Sequence, residues 1–279
     1  MEDINILFPD DRHKNYHLSD LRQVQLIMLR MLRIVDYICK KHQIPYWLEG
    51  GTLLGAVRHN GFIPWDDDID IGMLREDYEK FRKIFTKINP QGIALQTHDT
   101  DPNYLNVFAP IKLRDTNSIF LEKNDQLFQS YYNGIYIDIF AFDYNFPNDT
   151  FKQRLKWKAC KRIRKILKYK LQHPKKIISC LLPHKTLWSL HNRLVDKSIT
   201  TNKSIIDYGY DSAIDHKRFK KDEFFPLREI LFEGYSFFSP KNTDYYLTVK
   251  YGDYMTLPPI EEQKPGHLNS VVVNKKTRN

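Results

Sequence analysis

Apolar residues at Leu21, Val24, Ile27, Met28, Met31, Ile34, Val35 and Ile38 keep the three-and-four spacing of one helical face. That spacing predicts a long helix over residues 18–42, with Asp20 able to cap its start. Ile44-Pro45-Tyr46-Trp47-Leu48 follows as a short strand, since Pro45 stops any helix before it. Glu49-Gly50-Gly51-Thr52 turns the chain, and Leu53 to Arg58 read as the first turns of a new helix. Asp68-Ile69-Asp70-Ile71-Gly72 alternates polar with apolar, the period of a half-buried strand. Helical spacing resumes over 75–88 through Tyr78, Phe81, Ile84, Phe85 and Ile88. Further strands are predicted at 93–97, 107–113 and 134–142, the last apolar enough to be buried on both faces. Residues 150–195 are helical in pattern, broken near Pro174 and Pro183. The tail from 222 mixes short strands, one helix near 243–250 and proline-rich ends. No internal repeat or low-complexity tract interrupts this order. It predicts a mixed α/β (α+β) fold, a mixed sheet with flanking helices and a helical annex.

Composition places limits on the class. The chain has 279 residues, 42% hydrophobic and 14% aromatic, so it has ample apolar area for a core and is not disordered throughout. No apolar run approaches the roughly 20 residues that span a bilayer. The acidic start, Met1-Glu2-Asp3-Ile4, lacks the basic flank and apolar stretch of a signal peptide. Cys39, Cys160 and Cys180 stand in no metal or redox spacing, which suits a reducing compartment and a cytoplasmic location.

The formal net charge of +9 is concentrated in one place, because residues 150–195 hold fourteen Lys and Arg and no Asp or Glu. Phe151, Leu155, Trp157, Ile163, Ile166 and Leu167 lie among these cations. Such a block calls for an anionic partner. Nucleic acid and an anionic membrane surface are the candidates, and a merely solvated helix is the plain alternative.

The segment Glu49 to Gly72, EGGTLLGAVRHNGFIPWDDDIDIG, carries the chemistry. Gly50, Gly51 and Thr52 sit between a strand and a helix N-terminus, where bare backbone approaches a ligand and free N–H groups attract phosphate. Asp66, Asp68 and Asp70 recur at spacing two, which places their carboxylates on one strand face. Neighbouring carboxylates repel unless solvated or neutralised by a cation, and hard oxygen ligands select Mg2+ or Mn2+. A phosphate cradle beside such a pair is what phosphoryl transfer requires; the plain alternative is an acidic loop that solvates a strand end. An EF-hand loop starting at Asp66 is excluded, because Ile71 and Asp77 occupy its sixth and twelfth positions. No P-loop, dinucleotide fingerprint or nucleophile elbow is present. Asp138 stands in an otherwise apolar strand, where an unpaired carboxylate is costly. Its alternative is a structural pairing with a nearby lysine. Arg58 is a candidate for a phosphate oxygen, and Lys112 and Arg114 are further ones with less support. Trp65 adjoins the acids and reads more readily as a core residue than as a stacking platform.

These residues have a family resemblance. EGGTLLGAVRHNGFIPWDDDIDIGM resembles the signature of the LicD family. So do Gly134 to Phe140, Phe232-Glu233-Gly234 and Tyr251-Gly252-Asp253-Tyr254-Met255-Thr256-Leu257-Pro258, over a span of about residues 20 to 268. The resemblance implies a nucleotidyltransferase-like core over 1–149, a basic helical insertion over 150–221 and a C-terminal segment, 222–279, that packs back on the core. It implies transfer of phosphocholine or another alcohol phosphate from CDP-choline or a related CDP-alcohol to a hydroxyl of a glycan or lipid-linked glycan, with CMP released. Asp68, Asp70 and Asp138 would be the catalytic and Mg2+ (or Mn2+) ligands, with Asp66 beside them. Gly50, Gly51, Thr52, Arg58 and Lys112 would hold the diphosphate, while His59 and His267 take no assigned role beyond contact with the acceptor. A DxD glycosyltransferase using a nucleotide-sugar is the competing enzyme. A basic nucleic-acid-binding protein is the competing class, and no nucleic acid is expected.

Overall fold

The computed structural model describes residues 3–97, 99–101, 103–104, 111–122, 131–145, 151–172, 183–196, 204–212 and 217–274. A short helix, α1 (Ile4–Leu7), precedes the long helix α2 (Asp20–His42). Ser19 rather than Asp20 caps α2, its hydroxyl accepting the Arg22 N–H at 3.4 Å. Val24, Ile27, Met28, Met31, Ile34, Val35 and Ile38 are all buried, so the predicted apolar face is the one that joins the core.

Strand β1 (Trp47–Leu48), helix α3 (Gly50–His59), strand β2 (Asp70–Leu74) and helix α4 (Arg75–Ile88) follow. Next come β3 (Ile93–Gln96), β4 (Ile111–Asp115), β5 (Ile119–Glu122) and β6 (Tyr136–Asn145). Residues 107–110 of the strand expected over 107–113 lie outside the described residues. The main sheet runs β1-β2-β6-β4-β3, with β2 and β6 parallel and the other neighbours antiparallel. Ile137, Ile139, Phe140, Ala141 and Phe142 of β6 are buried, which accounts for its near-continuous apolar run. Gly72 of β2 makes room for Trp47: a Cβ there would lie 2.4 Å from the indole, which packs edge-on to Phe142 and Phe224.

The basic annex consists of α5 (Phe151–Gln172) and α6 (His184–Asp196), the second beginning just after Pro183. The two pack through Ile163, Leu167 and Leu187. Arg164 ties α5 to the body, donating to the carbonyls of Tyr210 at 2.6 Å and Ser212 at 3.0 Å. A strand that periodicity does not reveal then returns to the sheet. This is β7 (Ile205–Tyr208), which pairs with the second half of β6 and carries β8 (Phe219–Lys220).

After helix α7 (Lys221–Phe224), the hairpin β9 (Arg228–Phe232) and β10 (Tyr235–Ser239) turns at Glu233 and Gly234, both at positive φ. The Glu233 carboxylate accepts Arg22 of α2 at 2.6 Å and the Phe62 N–H at 3.2 Å. Helix α8 (Thr243–Tyr251) buries Tyr246 and Leu247 in the main core, and β11 (Leu268–Val272) pairs with β5. Cys39 and Cys160 are buried free thiols, and Cys180 lies outside the described residues. No described helix is long and apolar enough to cross a membrane.

Candidate active site

The site is built around Glu49, the residue that opens α3. Its N–H donates to the Asp70 carbonyl at 3.0 Å, fixing the helix start against β2. Its carboxylate is fully buried and does not cap its own helix. One oxygen accepts the Trp47 indole N–H at 3.0 Å. The other accepts the Tyr208 hydroxyl at 2.5 Å, the Tyr246 hydroxyl and the Lys250 ammonium. The start of α3 is thus not occupied by the side chain that precedes it.

Gly50 stands at φ +55, a left-handed conformation that glycine adopts without steric penalty. A Cβ there would lie 3.1 Å from Lys250 Nζ and 3.4 Å from both Asp70 Oδ2 and the Tyr251 hydroxyl. A Cβ on Gly51 would lie 3.3 Å from Asp66 Oδ2. Thr52 Oγ1 accepts the Asp70 N–H at 2.8 Å. The glycine turn and the aspartates therefore border one cradle, kept open because neither glycine has a side chain.

Regular pairing of β2 begins at Asp70, so Asp66 and Asp68 lie in the extended segment before it. Burial still alternates, with Asp67, Ile69 and Ile71 inside and Asp66, Asp68 and Asp70 on the more open side. The carboxylate oxygens of Asp66, Asp67 and Asp68 lie within 4.8 Å of one another. Asp67 is partly committed, since its Oδ2 accepts the His267 N–H at 2.9 Å and the Leu268 N–H at 2.5 Å, anchoring β11. His267 Nε2 lies 3.2 Å from Asp68 Oδ2. That contact outweighs burial and raises the imidazole to about 9.

Asp70 and Asp138 are direct register partners across the parallel β2–β6 pair. Burial, with Asp68 and Asp138 nearby, pushes the Asp70 carboxyl well above its ordinary range. Burial with Asp68 and Asp67 raises Asp66 to about 8. Asp138 is raised by burial, an effect opposed by Lys112. Lys112 is its antiparallel partner on β4. The Lys112 ammonium donates to Asp138 Oδ2 at 2.9 Å and also approaches Oδ1 at 2.9 Å, but it is not aligned to hydrogen-bond there. Asp138 Oδ1 is left buried without a hydrogen-bond partner.

Two expected phosphate contacts are placed elsewhere. Lys112 is buried against Asp138 and over the Tyr136 ring, with its ammonium 3.3 Å from the ring centroid. Arg58 lies eight residues beyond Gly50, about 12 Å along the helix axis. Its guanidinium donates to the carbonyls of Tyr254 at 2.9 Å and Thr256 at 3.4 Å, so it braces the segment after α8. Arg114 is a structural residue, donating to Gln96 Oε1 and the Gly134 carbonyl, each at 2.8 Å. Trp65 packs partly buried against the core. Sequence reasoning missed Tyr208, Tyr246 and Lys250 altogether. Tyr251 lay inside a noted motif with no role given to it.

The acidic group fits a hard divalent cation. Its donors are all carboxylate oxygens, one of them, Asp138 Oδ1, buried without a hydrogen bond. Burial, with like-charged neighbours adding to it, raises Asp66 and Asp70, a cost that a cation would relieve.

A glycine turn at a helix N-terminus, beside Asp70 and its register partner Asp138 on two neighbouring parallel strands, defines an α/β protein with an acidic cradle. Residues 43–179 match the family model described as LicD/FKTN/FKRP, nucleotidyltransferase domain. The chain is 30% identical over 271 residues to the lipopolysaccharide cholinephosphotransferase LicD of Haemophilus influenzae, covering 91% of this chain and 98% of that protein. It is 62% identical over 45 residues to the human ribitol 5-phosphate transferase FKRP, 16% of this chain and 9% of FKRP. The mouse ribitol-5-phosphate transferase FKTN is 37% identical over 49 residues, 18% of this chain and 11% of FKTN. The chain belongs to the LicD family.

Proposed function

We propose that this chain is a metal-dependent phosphotransferase that moves an alcohol phosphate, phosphocholine in the first instance, from a CDP-alcohol to a glycan hydroxyl. The observation that carries the reading is the single cradle shared by the Gly50–Gly51 turn, Asp70 and, through its register with Asp70, Asp138. Similarity over nearly the whole of a cholinephosphotransferase supports choline as the alcohol and a lipopolysaccharide-like acceptor. The shorter matches keep ribitol phosphate as the next alcohol to test. Teichoic acid or capsule would serve as acceptor by the same chemistry, on the cytoplasmic side of the membrane.

The acceptor oxygen forms a bond to the β-phosphorus of the donor, the bond from that phosphorus to the bridging oxygen breaks, and CMP leaves with the electron pair. Gly50, Gly51 and Thr52 receive the diphosphate at the start of α3, which the Glu49 side chain does not cap and where the backbone amides favour negative charge. Asp68, Asp70 and Asp138, with Asp66 beside them, would hold Mg2+ or Mn2+. When bound, such a cation offsets the charge that develops on the transferring phosphoryl group. Asp138, with its raised pKa and one oxygen that accepts no hydrogen bond, is the group assigned to take the acceptor proton. Lys112 holds that carboxylate in place instead of binding phosphate.

The test is a panel of CDP-choline, CDP-ribitol, CDP-glycerol and UDP-sugars, each incubated with the purified chain, Mg2+ and a bacterial glycolipid extract. CMP release with phosphocholine on the glycolipid is the expected result. Exclusive release of UDP overturns the phosphotransferase reading, and CMP from CDP-ribitol or CDP-glycerol alone replaces choline with that alcohol.

A further inference from the structure

Helix α5 presents a face that the proposed chemistry does not use. The cations and apolar residues interleaved along it separate into two sides. Ile163 and Leu167 are buried against α6, and Trp157 packs half-buried beside Cys160, Val195 and Tyr210. Phe151, Leu155 and Ile166 instead project into solvent, 75%, 49% and 37% exposed. Lys158, Arg162 and Lys165 are exposed beside them. These six residues fall within about a third of the helix circumference, so they form one continuous stripe.

Two features say what would cover it. The stripe has a single sign, because residues 150–195 contain no Asp or Glu to neutralise it. Exposed Phe, Leu and Ile side chains are unfavourable in water and have no hydrogen bonds to offer a phosphate backbone. An anionic bilayer surface answers both, with phosphates for the cations and the acyl boundary for the apolar side chains. We propose that this face of α5 is a docking surface for anionic lipid, with the helix lying in the plane of the interface. The inference rests on α5 and is independent of the phosphotransferase reading.

The experiment is sedimentation of the full chain with vesicles of neutral phosphatidylcholine or of the same lipid with about 30% phosphatidylglycerol, at low and high salt. Binding to the anionic vesicles alone, lost at high salt, is expected. The triple substitution Lys158→Glu, Arg162→Glu, Lys165→Glu should weaken it on the order of 100-fold. Phe151→Ser with Leu155→Ser should weaken it about tenfold. Circular dichroism and the thermal melt of both variants should match the parent, since all the altered side chains are exposed. No binding at low salt, or equal binding to neutral vesicles, overturns the proposal. Salt-sensitive binding to duplex DNA as tight as to the vesicles, and unaffected by Phe151→Ser and Leu155→Ser, also overturns it and makes the stripe a nucleic-acid footprint.

Discussion

The Lys250 ammonium, at the end of α8, lies against the buried carboxylate of Glu49, 201 residues earlier, which opens the glycine-turn helix α3. The same ammonium reaches the Tyr208 hydroxyl, so β7, α3 and α8 meet at one ion pair. It borders the Gly50 turn, where a Cβ would lie 3.1 Å from Lys250 Nζ. The pair thereby fixes the geometry in which backbone amides face the cradle.

Removing one partner exposes how much that fixing matters. Lys250→Met leaves Glu49 buried without its cation and should destabilise the fold by about 3–5 kcal/mol. Adding Glu49→Gln should recover a substantial part, because the unpaired charge is then gone. Urea unfolding of the parent, both single variants and the double variant closes the cycle. Purely additive losses would mean that the two residues act independently.

Local periodicity made much of the fold legible. The helix predicted over 75–88 is α4, with matching ends, because Tyr78, Phe81 and Phe85 supply its buried face. The alternation around Asp68 and Asp70 likewise marked which carboxylates are more open. What remained hidden depends on partners distant in sequence. β7 and β11 are short strands whose pairing with β6 and β5 carries little local signal. Lys112 reads in sequence as a phosphate candidate, because its register with Asp138 is set by the sheet. Arg58 reads in sequence as a phosphate candidate, yet the helix carries it to the Tyr254 and Thr256 carbonyls. Glu49 lay in the recognisable block, but Tyr208, Tyr246 and Lys250 reach it only through tertiary folding.

Metal dependence is the next expectation. Chelation should abolish turnover, and Asp68→Asn or Asp70→Asn should do so with the fold intact. Because burial and like charges raise Asp70, Asp70→Asn should also raise the melting temperature in metal-free buffer. Mg2+ should raise the melting temperature of the parent more than that of the variant. Calorimetric scans with and without Mg2+ decide this, and full activity in excess EDTA would sink the assignment.

Asp138 should behave as a group needed mainly in the transition state. Asp138→Asn is expected to lower kcat by about two orders of magnitude or more with little change in donor Kd. Single-turnover kinetics beside equilibrium donor binding separates the two. Normal turnover would reduce Asp138 to a structural partner of Lys112.

Acid stability should depend on Arg75. Burial would raise the Asp211 carboxyl, but the Arg75 guanidinium, with contacts of 2.5 and 2.6 Å, holds it below its ordinary value of 3.8. Arg75 also grips Asp143 at 2.9 and 3.0 Å. A depressed carboxyl contributes stability above its unfolded pKa and loses it as the pH falls through the folded one. Arg75→Met should therefore cost about 3–5 kcal/mol at neutral pH, by removing the guanidinium that bridges the Asp143 and Asp211 carboxylates. The gap between parent and variant should narrow on acidification below about pH 4. Denaturant melts across that range provide the check; a gap independent of pH would remove the charge pairing as its cause.

The two glycines of the turn should fail differently, because their backbones differ. Gly50 has φ +55, so Gly50→Ala meets the left-handed penalty of about 1–2 kcal/mol. Its new methyl group would also crowd Lys250 and Asp70. It should lose stability and donor affinity together. Gly51 has no such strain, and alanine is about 0.5–1 kcal/mol better than glycine inside a helix. Gly51→Ala should keep or raise the melting temperature, yet it places a methyl group 3.3 Å from Asp66 Oδ2, at the edge of the cradle assigned to the diphosphate. Gly51→Val, bulkier still, should weaken donor binding further without unfolding the protein. Melting curves paired with donor titrations in Mg2+ distinguish these effects. If Gly51→Val binds CDP-choline as tightly as the parent, the diphosphate does not pass over this turn, and the cradle must be assigned to another part of the donor.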